Sequence, residues 1–405
     1  MNRSIQKFIT LITILTFSQS WVLLANADIA GPLFLDLTQL EKYRQAFLLN
    51  DSNSKIIREQ IASLTEGLLD MKPLSVMDKS IVPPSGDKHD FTSMGPYWWP
   101  DPAKPDGLPY IRRDGERNPE YHKITDESYL TRTIEAVENL AIASYITGES
   151  KYTLKAEELL RVWFINDETK MNPNMKHSQF IPGINTGRGI GLIESRYLFK
   201  ITDAIMILTP ANDWKKEVEE KLVEWFEAYF TWITTHQYGV DESNEKNNHG
   251  TWYDVQSGAI AFFLGKADYT KKILEESKHK RIDVQIESDG RQPLELARTK
   301  SWSYSLMNLN AFMHLAVMSD YLMIDLWNYK TPSGGSIRKA LDYLLPYALD
   351  NSGWEYKQIE KMNNESLLPL IRLAQKKYDP DLYGEWQRKI FGKNPRGNKM
   401  GSLLE

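Results

Sequence analysis

The chain has 405 residues, with 49 Lys and Arg against 54 Asp and Glu, a formal charge of −5, and no cysteine. Without cysteine there is no disulfide framework and no cysteine-based metal or redox site. A net acidic chain also lacks the broad basic surface that general nucleic-acid binding requires.

In chain order, residues 1–27 read as a secretory signal. Arg3 and Lys7 give a basic start, Phe8 to Phe17 an apolar core, and Ala25-Asn26-Ala27 a small-x-small cleavage site. Ser18-Gln19-Ser20 interrupts the apolar run before it reaches bilayer-spanning length. The expected mature chain, 28–405, loses those two cations and carries −7. No later segment is apolar for long enough to cross a membrane, so a periplasmic or secreted protein is expected. The stretch from Val82 to Pro119 carries Pro96, Pro100, Pro102, Pro105 and Pro109, which predicts a loop suited to forming a cleft wall.

Helical periodicity dominates the remainder of the chain. From Asp126 to Thr147, apolar residues recur at Leu130, Ile134, Val137, Ala141 and Tyr145, a stripe at i, i+4 and i+7. Similar patterns predict helices over Leu192–Leu208, Trp214–Ile233, Val255–Leu264, Leu306–Leu326 and Ile337–Leu349. Turn chemistry separates them, as in Thr147-Gly148-Glu149-Ser150 and Thr331-Pro332-Ser333-Gly334-Gly335. Long amphipathic helices joined by short loops predict antiparallel hairpins in a single all-α domain. The glycines at 183, 187, 189 and 191 lack dinucleotide-fingerprint spacing, and no strand is predicted before them, so a turn presenting Asn185 and Arg188 fits better.

Two short segments carry chemistry. Asn247-Asn248-His249-Gly250-Thr251-Trp252-Tyr253 precedes the predicted helix over Asp254 to Leu264, and Arg298 and Tyr304 come about fifty residues later. A proton beside an ionised carboxylate is weakly acidic, because its removal builds a second negative charge on the same group. An amide, an imidazole and a guanidinium can neutralise that carboxylate while a phenol moves the proton, which is what β-elimination from a uronic acid needs. Taken singly, Asn248-His249 also fits a helix cap, Arg298 a surface ion pair and Tyr304 a core tyrosine.

Four segments in one order resemble the alginate lyase superfamily of polysaccharide lyases. They are Gly95-Pro96-Tyr97-Trp98-Trp99-Pro100-Asp101-Pro102, Gly107 to Gly115, Ile181 to Gly189, and the Asn-Asn-His block. The resemblance implies an α/α toroid, an incomplete barrel of helical hairpins, acting on an anionic polysaccharide without metal or other cofactor. It implies that Asn248 and His249 contact the substrate carboxylate, Arg298 neutralises it, and Tyr304 serves as acid and, for some substrates, as base. In the longer-studied periplasmic members the Arg and Tyr stand seven apart on one helix face. Here they are six apart, or roughly 120° apart on an ideal helix, so Arg298 is expected at a helix start or distorted turn, with Arg291 as the alternative.

Aromatic faces pack on the C–H faces of sugar rings, so Tyr97, Trp98, Trp99, Tyr110 and Trp252 are candidate subsite walls, with burial between helices as the alternative. Arg112, Asn185 and Arg188 are the polar candidates. Arg113, Arg117, Arg196, Lys246 and Lys300 add positive charge near the motifs. The substrate expected first is mannuronate-rich alginate and second glucuronan. A glycoside hydrolase would need two flanking carboxylates, for which Glu194, Asp254 and Glu287 are available, and a non-catalytic glycan-binding protein is the third class. The histidines show no His-Glu-x-x-His pattern, although His177 and His314 could enter the cleft.

Overall fold

Two kinds of helix build this protein, and burial separates them. In the Asn248–Phe263 helix only His249 and Phe263 escape full burial, and Asp126–Thr147 and Ser301–Asp320 are buried along most of their length. Around these lie amphipathic helices that bury one stripe each, among them Ser150–Leu160, Lys216–Thr235, Ala267–Ser277, Leu367–Lys377 and Pro380–Phe391. The computed structural model describes residues 31–49 and 52–392, so the expected signal peptide lies outside the described residues. From Pro32 onward the chain forms one unit.

Neighbours in sequence pack as hairpins: Asp126–Thr147 on Ser150–Leu160, Asn248–Phe263 on Ala267–Ser277, and Leu367–Lys377 on Pro380–Phe391. Inner helices also touch across hairpins, Asp126–Thr147 on Phe199–Leu208 and Asn248–Phe263 on Ser301–Asp320. The result is the expected α/α toroid. The Asn248–Phe263 helix is a shared wall within it. Tyr253, Ile260 and Ala261 belong to one apolar core, while Trp252, Val255, Ala259 and Phe262 belong to the other. Each fully buried large side chain of this kind contributes about 1.5–3 kcal/mol relative to exposure.

Helix ends obey local chemistry. Gly148, at φ 69°, closes the Asp126–Thr147 helix in the left-handed conformation that costs glycine nothing. Ser336 caps Ile337–Leu349 by accepting from Lys339 N at 3.2 Å. Both helices keep the bounds that periodicity predicts. Four others do not, and Trp214–Ile233 is displaced along the chain to Lys216–Thr235. Leu192–Leu208 is a 3₁₀ stretch, Gly189–Leu198, running into the helix Phe199–Leu208. Leu306–Leu326 begins earlier and ends sooner, at Ser301–Asp320. The helix expected from Val255 starts at Asn248, because Asn247 Oδ1 accepts from His249 N at 3.0 Å and so caps it.

Two small strand pairs pin the proline-rich stretch. Thr92–Met94 runs parallel to His177–Phe180, and Trp98–Trp99 runs antiparallel to Ile111–Arg112. A seam joins the start of this unit to later helices. Leu33 N and Phe34 N donate to the Asp203 carboxylate at 2.9 and 2.7 Å, Tyr321 Oη donates to Pro32 O at 3.0 Å, and Lys376 pairs with Asp36 at 3.3 Å.

Candidate active site

The proline-rich loop, the glycine loop, the start of the Asn248–Phe263 helix and the turn before Ser301–Asp320 meet at one cleft of about 520 Å³. Asn248, His249, Arg298 and Tyr304 all line it.

Arg298 lies in the turn between the helices Pro293–Leu296 and Ser301–Asp320, so the six-residue spacing does not set it on a helix face. Its guanidinium carbon stands 3.8 Å from the centre of the Tyr304 ring, and its Nη2 donates to Tyr304 Oη at 2.9 Å. Asp114 accepts from Arg298 Nη2 at 2.8 Å and Nε at 3.2 Å, and from Thr299 Oγ1 at 2.9 Å. Arg291 instead pairs with Asp289 at 2.7 Å and Glu287 at 3.2 Å, and is not among the cleft-lining residues. The Tyr97 hydroxyl is 2.8 Å from that of Tyr304.

The other two groups rest on buried acids. Asn248 N and Nδ2 donate to Glu295 at 2.7 and 2.8 Å, which commits one of the two amide hydrogens and leaves the other. His249 Nδ1 is 2.9 Å from Glu242 Oε1, and with Nδ1 donating there the lone pair of Nε2 is left for the cleft. Asp114, Glu242 and Glu295 are not among the residues the sequence singles out. The partners of Asp114 and Glu295 lie 184 and 47 residues away, and the seven residues from Glu242 to His249 cross from one helix to the next, so no helical spacing marks them.

Electrostatics differ group by group. Burial pushes the Tyr304 phenol above its ordinary value, Tyr97 adds to that, and Arg298 opposes it. Burial likewise raises Glu242 and Glu295, against the pull of His249 and Asn248. Burial would raise Asp114 too, but the bonds from Arg298 and Thr299 outweigh it and hold that carboxyl well below the usual range. Arg112, Arg117, Arg188, Arg196, Arg298 and Lys300 line the cleft against Glu127, Glu194 and Glu245. Burial pushes Glu194 up to about 8, so at neutral pH it subtracts little from the positive charge, and the six cations outnumber Glu127 and Glu245. The cleft therefore suits a polyanion.

Of the expected subsite residues, Tyr97, Trp98, Arg112 and Arg188 line the cleft. The other four do not. Trp99 Nε1 donates to Glu116 O at 2.9 Å, and Arg113 covers its ring. Tyr110 donates to Glu120 at 2.7 Å, and burial and that carboxylate push its phenol up to about 12. Asn185 Oδ1 brackets its own turn by accepting from Ile181 N at 3.1 Å. Trp252 is 1% exposed and packs on Tyr197 and His314. His314 is thereby a core residue, and His177 bonds the Thr186 carbonyl at 3.0 Å. Among the three hydrolase acids, Asp254 is locked to Arg281 at 2.7 Å and Glu287 pairs with Arg291, which leaves only Glu194 in the cleft.

Known proteins share this fold. The alginate lyase family model matches residues 75–354. An alginate lyase from Bacteroides ovatus, solved by crystallography, is 37% identical with a TM-score of 0.86, covering 93% of this chain and 99% of that one. Alginate lyase A1-III from Sphingomonas species A1 is 15% identical over 92% of each chain with a TM-score of 0.55. A histidine-to-alanine variant of A1-III in complex with a tetrasaccharide is 15% identical with a TM-score of 0.60, covering 94% of this chain and 97% of that one. At that identity these two A1-III structures speak for the fold alone. A search of curated proteins finds no match. With the family model spanning well over half of its length, the chain belongs to the alginate lyase family, and it is a polysaccharide lyase.

Proposed function

We propose that this lyase cleaves 1,4-linked polyuronate, mannuronate-rich alginate foremost, by β-elimination that leaves a 4,5-unsaturated uronate end. The observation that carries this reading is the convergence of Arg298, Tyr97 and Tyr304 at hydrogen-bond distance, in the cleft that Asn248 and His249 also line. Asn248 and Arg298 hold and neutralise the carboxylate, joined by His249 where its Nε2 carries a proton, which makes the C5 proton removable. The electrons of the C5–H bond then form the C4–C5 double bond as the C4–O4 bond breaks and O4 takes a proton.

Tyr304 rests protonated, since burial raises its phenol, and this suits it to protonate O4. To act as base, on sugars whose C5 proton and O4 share a face, it first gives up that proton to solvent. Arg298 and Tyr97 then both donate to the phenolate oxygen, which takes the C5 proton and passes it to O4. On α-L-guluronate the C5 proton is on the opposite face, where His249 Nε2 is the base and Tyr304 the acid. β-D-mannuronate and β-D-glucuronate differ only at C2, so glucuronan is the second substrate this catalytic set serves. The names of the matching family and of the Bacteroides ovatus relative favour alginate.

Ultraviolet absorbance with poly-mannuronate, poly-guluronate, glucuronan and mixed alginate tests the reading, with Tyr304→Phe alongside. A rising unsaturated-uronate signal on poly-mannuronate is expected. A flat trace on all four polymers would sink it. Export through a cleaved signal over residues 1–27, to the periplasm or beyond, belongs to the same proposal, and sequencing the mature N-terminus checks it.

A further inference from the structure

A second set of cleft-lining groups has no part in the elimination. Glu194, in the 3₁₀ stretch Gly189–Leu198, is 7% exposed yet lines the cleft. Ser93 Oγ donates to its Oε2, while the Tyr121 hydroxyl reaches Oε1 only at a long 3.5 Å. Ser93 Oγ also accepts from Gln179 N at 2.7 Å, so its one proton is committed and it has no hydrogen to donate to a ligand. Beside it, Arg188 Nη2 donates to Gln179 Oε1 at 2.7 Å, and Arg188 Nε is buried without a partner. Gln179 sits at φ 49°, a conformation non-glycine residues seldom adopt and one that clusters at ligand-binding positions.

We propose that Glu194 is a specificity-determining residue whose neutral carboxyl donates a hydrogen bond to a ring hydroxyl of a bound uronate, the carboxylate of that sugar being taken by Arg188. The inference rests on the polyuronate reading above. An ionised carboxylate accepts hydrogen bonds only and repels a uronate, whereas a carboxylic acid donates. Burial keeps the group neutral up to about pH 8, helped by Glu127 and opposed by the bonds from Ser93 and Gln179 and by the charge of Arg188. On its own element Arg196 faces the Ile193 carbonyl, to which it donates at 2.8 Å. The uronate binds the acid form, so above about pH 8 binding has to take up a proton.

Calorimetry of a mannuronate tetrasaccharide with the Tyr304→Phe chain tests this, at pH 7 and pH 9 in two buffers of different ionisation enthalpy. The expected result is a Kd about tenfold weaker at pH 9, with uptake of close to one proton. Adding Glu194→Gln should abolish both the pH dependence and the uptake. Ser93→Ala, which keeps the carboxyl and removes a donor to its ionised form, should move the onset to higher pH. Equal pH dependence and uptake with and without Glu194→Gln, or none in either, would overturn the role of Glu194. Consumption of the sugar by Tyr304→Phe would instead remove Tyr304 from its role. Absence of binding at both pH values would overturn the polyuronate reading and Glu194 with it.

Discussion

The two halves of the catalytic cluster are held in opposite ways. Asn248 and His249 stand on a buried helix start and lean on two acids, Glu295 and Glu242, each 1% exposed. Arg298 stands in a turn and leans on Asp114, whose side chain is 23% exposed in a loop far away in sequence, and Tyr304, in the first turn of the next helix, leans on Arg298. Burial raises the first pair of acids, while the guanidinium lowers the third. One half is a fixed wall set by core packing; the other is a loop-to-turn clasp set by charge. Orientation of an amide and an imidazole ring calls for rigid acceptors, whereas a guanidinium brings its own long-range hold.

The largest expected effect falls on the clasp. Tyr304→Phe should lower kcat about 10³-fold with KM little changed, because the hydroxyl acts in the transition state; initial rates by absorbance measure it. Arg298→Lys, which keeps the charge but loses the planar fork between Asp114 and Tyr304, should cost about 10²-fold in kcat/KM. On the wall, Glu242→Gln should cost roughly 30-fold in kcat, by loosening the tautomer and orientation of His249. Asp114→Asn should cost about tenfold. If Asp114→Asn proved worse than Glu242→Gln, the clasp rather than the wall would be the rigid half.

A smaller effect separates the halves by sign. The lowered pKa of Asp114 contributes stability that is present above its ordinary value of 3.8 and lost as pH falls below it. The stability gap between wild type and Asp114→Asn should therefore be open at pH 7 and close on acidification. Glu242, raised by burial, contributes the reverse: its proton stabilises the fold below the ordinary 4.5, and that benefit is lost as pH rises. Glu242→Gln should gain on wild type between pH 4 and 7. Melting temperatures taken from pH 7 down to pH 2 would show the Asp114→Asn gap closing below 3.8 and the gain of Glu242→Gln growing as pH rises above 4.5, and parallel changes in the two variants would erase the distinction.

Legibility in the sequence has the same physical origin. The helices at Asp126–Thr147 and Ile337–Leu349 are readable to the residue because apolar periodicity and end signals coincide there. The start of Asn248–Phe263 is not, because Asn248, Thr251, Asp254 and Gln256 are buried polar residues that erase the apolar stripe where the helix meets the cleft. Past Asp320, apolar letters such as Leu322, Met323 and Ile324 extend the apparent period although Met323, at φ 56°, has left the helix. In the site, Tyr97 and Trp98 and their neighbours Trp99 and Tyr110 look alike as sequence. Only the strand pairing and the partners Glu116 and Glu120 sort cleft from scaffold.

The seam at residues 32–36 bears on how the chain reaches this state. Pro32, Leu33, Phe34 and Asp36 are tied to Asp203, Tyr321 and Lys376, contacts that span 170, 169, 289 and 340 residues. Ring closure of this kind waits for nearly the whole polypeptide, since loop-closure entropy is spent before such contacts repay it. Early hairpins can assemble as the chain emerges. Docking of residues 32–36 onto helices made later in the chain then has to follow the synthesis of those helices.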